Sequence, residues 1–519
     1  MAGEKKTMEE LVEALRKKRE HLQQGGGADR LAKQKEQGKQ TARERVDALV
    51  DAESFEEFGL FAQHRQTHFG MSGKEVPADG VVTGAASIDG RLIHLASQDF
   101  SVLGGSAGEV HSEKVAEVME RSLATGSPFV FINDSGGARV QEGIDSLSGY
   151  GKVFFTNVLL SGAVPQISLI CGPCAGGASY SPALTDFIIQ TRQAQMFITG
   201  PQVIKQVTGE QISADALGGP DAHMAHSGVI HFVAENDTEA IYICRRLLSF
   251  LPSNNLEDPP RLRADNNVDP NPDLNTIVPV DPKQGYDIRQ VIGAVVDNRD
   301  FLEVQAGHAM NMVVGFARIL GRSIGVIANQ PAVMAGAIDI NASTKASRFI
   351  RFCNAFNIPL VTFVDVPGYL PGVEQEYGGI IRHGAKLLFA YSAATVPKIQ
   401  VILRKAYGGA YVAMSSKDLG ADRAFAWPTA EVAVMGAEGA VEIVFRKEMD
   451  QAADKAAKRA ELIDKYRSTF STPYVAASRR LVDEIIEPAS TRKHLAQALE
   501  YLQTKRDQRP PKKHGLIPL

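Results

Sequence analysis

Four short turns rich in glycine stand out as places where this chain could do chemistry. They read Asp134-Ser135-Gly136-Gly137-Ala138, Cys174-Ala175-Gly176-Gly177-Ala178, Asp365-Val366-Pro367-Gly368-Tyr369 and Tyr407-Gly408-Gly409-Ala410-Tyr411. Small residues let a ligand oxygen reach the backbone N–H groups. Two such donors from adjacent turns can hold one developing oxyanion, and losing one donor typically costs roughly 2.7–4 kcal/mol of barrier. A thioester that reacts at its α-carbon passes through an enolate, whose oxygen needs such a cradle. One turn alone marks only a chain reversal. Four at matched positions ask for more.

The elements around these turns explain the match. Phe129 to Asp134 is a short apolar strand running into the first turn, and Leu360 to Asp365 is its counterpart. Gly368 follows Gly137 by 231 residues (368 − 137) and Gly409 follows Gly177 by 232 (409 − 177). Two landmarks at nearly one offset point to an internal duplication. Val115, Val118, Met119 and Ser122 fall on one helical face, as do Ala346, Phe349, Ile350 and Cys353. Each half thus repeats helix, strand, turn, helix, strand, turn. That order predicts an α/β fold with parallel strands and right-handed crossovers. Where such a turn opens a helix, N–H groups face a cleft.

Residues 8–50 read as charged helix broken at Gly25-Gly26-Gly27, and residues 1–60 as an N-terminal helical arm. Seven prolines between Pro252 and Pro282 exclude a helix or central strand, so 261–285 reads as a linker. It separates a domain over 61–260 from one over 286–519.

The 519 residues carry a formal charge of −4, which disfavours a nucleic-acid partner. Four cysteines form no disulfide framework, and a reducing cytoplasm or organelle matrix is expected. Phe154 to Gly172, the most apolar stretch, is interrupted by Asn157, Pro165 and Gln166 and is too short and broken to span a bilayer. Cys171 and Cys174 have CxxC spacing without a second pair, so they read as structural, and no metal site is evident.

Asp134 to Gly143, Gly172 to Ala178, Val364 to Tyr369, Glu376 to Ala385, Arg404 to Tyr411, Glu438-Gly439-Ala440, Gly38 to Arg45 and Arg509 to Gly515 together resemble the acyl-CoA carboxylase β subunit family. The likeness runs along essentially the whole chain. It is nearest to propionyl-CoA carboxylase β and to the methylmalonyl-CoA subunit of transcarboxylase. The resemblance implies tandem crotonase-like domains of ββα-type superhelical repeats, the first taking acyl-CoA and the second biotin. It also implies a homo-hexamer, a trimer of dimers, with sites shared between subunits. Gly136, Gly137 and Ala138 with Gly176, Gly177 and Ala178 would then stabilise the thioester oxygen. Gly368, Tyr369 and Tyr411 with Gly408, Gly409 and Ala410 would hold the ureido oxygen of biotin. The family mechanism needs no catalytic His or carboxylate, and none stands out.

Gly105, Ser106 and Ala107 read either as an approach for the pantetheine of CoA or as a plain turn. Lys114 reads as a contact for a CoA phosphate or as a solvated side chain. Tyr180 is expected to touch substrate. His383 reads as a packed, hydrogen-bonded histidine. There is no P-loop and no Met-Lys-Met biotinylation tripeptide. ATP-dependent carboxylation therefore falls to a biotin carboxylase and biotin carboxyl carrier partner, which brings biotin in trans. The leading expectation is carboxylation of propionyl-CoA to methylmalonyl-CoA. Transcarboxylase and a sodium-pumping methylmalonyl-CoA decarboxylase are alternatives. Val412 follows Gly-Gly-Ala-Tyr where several short-chain relatives carry Asp, and it reads either as lining the acyl pocket, favouring propionyl-CoA over acetyl-CoA, or as packing against its own helix.

Overall fold

The computed structural model describes residues 6–264 and 267–519. They form two compact units that divide between Glu257 and Asp258. Among the described residues each unit holds one eight-stranded sheet.

The first unit contains β1 (Glu56–Phe58), β2 (Val81–Ile88), β3 (Arg91–Gln98), β4 (Phe129–Ser135), β5 (Gln166–Ala175), β6 (Phe187–Thr191), β7 (Gln195–Phe197) and β8 (Phe232–Ala234). β2 and β3 make an antiparallel hairpin, and β3, β4, β5, β6 and β8 follow in parallel. β5 is long enough to serve β6 with one half and β7 with the other. Every residue of β4 is buried, as expected for a strand covered on both faces.

The second unit repeats this plan with β9 (Phe301–Val304), β10 (Met312–Ile319), β11 (Arg322–Asn329), β12 (Leu360–Val366), β13 (Lys398–Tyr407), β14 (Arg423–Ala426), β15 (Glu431–Ala433) and β16 (Glu484–Ile485). Phe129 pairs with Gln166, and Leu360 pairs with Lys398. Both ladders slip just before the glycine turn, between Asn133 and Ser135 and between Val364 and Val366. Such an irregularity re-aims a chain as it leaves a sheet.

The N-terminal segment forms three helices, α1 (Met8–Gln23), α2 (Ala28–Glu36) and α3 (Ala42–Leu49). The single break expected at Gly25 to Gly27 is joined by a second at 37–41. Thr7 and Thr41 begin α1 and α3 with capping boxes completed by Glu10 and Glu44. α1 is solvated apart from Leu22, whereas α3 buries Arg45, Val46 and Leu49 in the first unit. The triple glycine also permits a close approach: a Cβ on Gly26 would lie 1.9 Å from the Ser101 carbonyl oxygen.

The proline-rich segment corrects the linker reading. It belongs to the second unit and includes a one-turn helix, Leu274–Ile277. Pro272 precedes that turn, where no N–H is needed. Leu274 and Val278 join the core of Val326, Val361, Phe363 and Trp427. The carbonyls of Pro279, Asp281 and Gln284 all accept from Arg404. No helix among the described residues is long and apolar enough to cross a membrane.

Four more helices position the turns: α4 (Glu109–Thr125), α5 (Ile144–Leu160) and α6 (Tyr180–Leu184), followed by α7 (Asp237–Leu248). The first three have counterparts in the second unit, α8 (Ile340–Ala355), α9 (Ile380–Ala393) and α10 (Gly408–Ala413). The predicted faces hold, with Val115, Val118, Met119 and Ser122 buried on α4 and Ala346, Phe349, Ile350 and Cys353 buried on α8.

Candidate active site

The turn after β4 uses most of its backbone groups to hold itself. The Gly136 N–H donates to the Gly104 carbonyl at 2.9 Å and the Gly137 N–H to Ser135 Oγ at 3.1 Å. Ala107 N–H donates to Gly137 O, and Arg139 N–H to Ala107 O, both at 2.9 Å. Ala107 and Ala138 therefore form a parallel bridge that turns the Ala138 N–H outward. It has no backbone acceptor among the described residues. The second unit does the same: Ile338 N–H donates to Gly368 O at 3.1 Å and Leu370 N–H to Ile338 O at 2.9 Å, which leaves the Tyr369 N–H outward.

The companion donors come from the next turn. Gly176 begins a helical turn leading into α6, and Gly408 begins α10. The first N–H groups of a helical turn have no acceptor within it. Gly176 and Gly408 sit at φ 61° and 60°, in the left-handed region. Of the expected residues, Gly136, Gly137, Gly176, Gly368 and Gly408 thus shape the turns. Ala138, Gly177 and Ala178 in one unit, with Tyr369, Gly409 and Ala410 in the other, present N–H groups.

A buried carboxylate anchors each strand end. Asp134 accepts from Lys39 Nζ and from Arg45 Nη1, both at 2.9 Å, and Arg45 Nε also reaches Asp237 at 2.7 Å. Asp365 accepts from Arg404 Nε at 3.0 Å. Burial pushes the Asp365 carboxyl up, and Arg404 pulls it back. The roles of Lys39, Arg45 and Asp237 were not read from sequence. The only signal was the basic run Lys39 to Arg45, which carries no mark of its distant partners.

Other expectations find their places. Gly105 sits at φ 61°, and a Cβ there would lie 2.2 Å from Asp134 O, so it is packed against the strand end. The N–H groups of Gly105, Ser106 and Ala107 are all engaged within the protein. Lys114 is buried rather than solvated. Its Nζ donates to the carbonyls of Ala78 at 2.7 Å and Val81 at 2.5 Å, and burial pushes the amine down to about 8. Lys345, 231 residues on (345 − 114), does the same for Gln305 and His308 at 2.9 and 2.7 Å. Tyr180 and Val412 each follow a cradle on α6 and α10. Tyr180 is exposed and packs edge-on to Phe154. Val412 is half-buried, and Tyr411 is buried. His383 is half-buried with Nδ1 3.1 Å from Thr344 Oγ1. Cys171 and Cys174 are buried free thiols, the latter pushed up to about 12 by burial.

Duplicated crotonase-like units, each with outward N–H groups at two glycine turns, define a tandem carboxyltransferase fold. The chain matches the carboxyl transferase domain over residues 33–517 and belongs to that family. It is a biotin-dependent acyl-CoA carboxyltransferase. It is 63% identical over 512 residues to the methylmalonyl-CoA carboxyltransferase 12S subunit of Propionibacterium freudenreichii subsp. shermanii, covering 99% of this chain and 98% of that one. It is 54% identical to the carboxyltransferase subunit of propionyl-CoA carboxylase from Haloferax mediterranei, covering 99% and 100%. The crystal structure of a hexameric transcarboxylase 12S with methylmalonyl-coenzyme A and methylmalonic acid bound superposes with a TM-score of 0.98 at 63% identity, covering 99% of both chains.

Proposed function

We propose that the chain moves a carboxylate between carboxybiotin and the α-carbon of propionyl-CoA, forming methylmalonyl-CoA, with biotin carried on a partner chain. The observation that carries this reading is the repeated set of three outward N–H groups, Ala138 with Gly177 and Ala178, and Tyr369 with Gly409 and Ala410. The first set suits a thioester oxygen and the second the ureido oxygen of biotin, since both oxygens gain negative charge during transfer. Open space over Gly409, where a Cβ would meet nothing within 4 Å, supports access of a ligand oxygen to the second set. Carboxybiotin supplies the activated carboxylate. This chain's backbone donors bind and orient the two oxygens, and their fixed geometry needs no reorganisation as charge develops.

We assign the acyl-CoA site to the unit that ends at Glu257 and the biotin site to the unit that begins at Asp258, in a cytoplasmic or matrix homo-hexamer. The exposed apolar side chains Ile144, Phe155 and Val158 on α5 suit an assembling surface. The test is incubation of the purified chain with methylmalonyl-CoA and a biotinylated carrier domain, following propionyl-CoA release. No propionyl-CoA would overturn the reading. Copurification decides between settings: a biotinylated ATP-grasp chain marks the carboxylase, a membrane chain the decarboxylase pump, and a second carboxyltransferase the transcarboxylase. The last setting is favoured by 63% identity to a transcarboxylase subunit.

A further inference from the structure

The two units fill the space beside their cradles from opposite sides. Along α5, Ser146, Tyr150, Val153, Asn157 and Leu160 are buried. Along α9 and its cap, the buried positions are Ile380, Gly384, Leu387, Tyr391 and Ala394, each 234 residues on (384 − 150). Tyr150 therefore answers to Gly384. On the cradle strand the exchange is reversed, since Ala138 answers to Tyr369.

In the first unit the aromatic ring comes from the helix. A Cβ on Gly177 would lie 3.3 Å from Tyr150 Cδ2 and 3.4 Å from Cε2, so the ring packs directly on the cradle backbone. Phe154 stacks behind it at 5.7 Å, and Tyr180 meets Phe154 edge-on at 5.9 Å. In the second unit the ring comes from the cradle. Tyr369 lies over Gly384, and its Oη donates to the Gly384 carbonyl at 3.3 Å. Leu388 and Val412 stand where Phe154 and Tyr180 stand in the first unit, and the space over Gly409 is open.

The same backbone device is therefore walled by an aromatic ladder in one unit and left open in the other. We propose that Tyr150 is a specificity-determining residue: its ring occupies the volume that a longer acyl chain would need, so the first cradle takes short acyl thioesters. This rests on the reading that the first unit binds acyl-CoA. A methylene in an apolar pocket typically changes kcat/KM by roughly 10–200-fold, so removing the ring should alter preference on that scale.

The experiment compares propionyl-, butyryl- and hexanoyl-CoA as carboxylate acceptors for the assembled enzyme, in wild type and in Tyr150→Phe, Tyr150→Leu and Tyr150→Ala. The expected result is a butyryl-to-propionyl ratio of kcat/KM raised about tenfold or more by Leu and Ala. Phe, which keeps the ring, should keep the wild-type ratio. Leu guards against poor folding of Ala, and thermal unfolding reports on both. Active Leu or Ala variants with unchanged ratios would overturn the proposal while leaving the acyl-CoA assignment intact. Wild type that shows no acyl-CoA binding by calorimetry would remove the assignment and the proposal together.

Discussion

Gly177 and Gly409 hold equivalent places in the duplication, yet substituting them should give different phenotypes. Neither requires a left-handed backbone. A Cβ on Gly409 would meet nothing within 4 Å, so Gly409→Val has room. Replacing glycine at a compatible position also removes unfolded-state entropy, typically worth about 0.4–1 kcal/mol. The variant should therefore melt at or slightly above the wild-type temperature. Its isopropyl group would nevertheless screen a cradle donor, and losing one donor is worth about 10²–10³-fold in kcat. Gly177→Val presses instead on the Tyr150 ring at 3.3–3.6 Å, inside a cluster with Ile170, Cys174 and Met196. Overpacking of that kind costs about 1–3 kcal/mol, or roughly 2–12 °C for a unit of this size. Calorimetric melting and carboxylate transfer from methylmalonyl-CoA, measured on both variants, separate the two effects. A folded Gly409→Val enzyme transferring at a near-normal rate would refute the assignment of that turn. Equal melting temperatures for the two variants would refute the steric argument.

Asp365→Asn should lower kcat by about 10²-fold, because a strand end displaced by ~1 Å misplaces the donors that follow it; unchanged transfer by the folded variant would count against the anchor. Burial pushes the Lys345 amine down to about 7 from an ordinary 10.5. The unfolded chain then binds the extra proton between those values, so wild-type stability relative to Lys345→Met should climb as pH rises through that window. Unfolding midpoints across the window check this, and a flat difference would mean that the Gln305 and His308 carbonyls keep the amine charged. Val412→Asp should weaken any preference for propionyl-CoA over acetyl-CoA by roughly 10–200-fold in relative kcat/KM. Ratios unchanged by the substitution would remove Val412 as a determinant.

The duplication was legible because glycine turns are local. Gly137 and Gly368 sit at positions the backbone itself demands, so their spacing shows in the chain without knowledge of packing. The buried faces of α4 and α8 were legible for the same reason, through helical periodicity. The charge partners were not. Arg45 meets Asp134 across 89 positions, and nothing near either residue announces the other. The burial of Lys114 was not legible, because a lysine on a helix surface and a lysine bent onto two carbonyls look alike in sequence. The Pro272 region failed for a related reason: proline forbids a helix through it but not one that starts after it. Leu274 then supplies apolar surface to a core that only the fold assembles.

The buried anchors show what the duplication has conserved in physical terms. Asp134 and Asp365 occupy the same strand end, but Arg45 comes from α3 whereas Arg404 comes from the neighbouring strand β13. An unpaired buried carboxylate is expensive, so some guanidinium must be supplied. Its origin is free to differ provided the strand end stays fixed. The same logic governs the aromatic rings, which arrive from α5 in one unit and from the cradle in the other. In both cases the backbone donors keep their geometry while the side chains around them are exchanged. A site built from backbone N–H groups permits this, because its chemistry does not depend on which side chain stands beside it. On the proposed assignment selectivity is then left to the surrounding side chains, which can diverge without dismantling the turns.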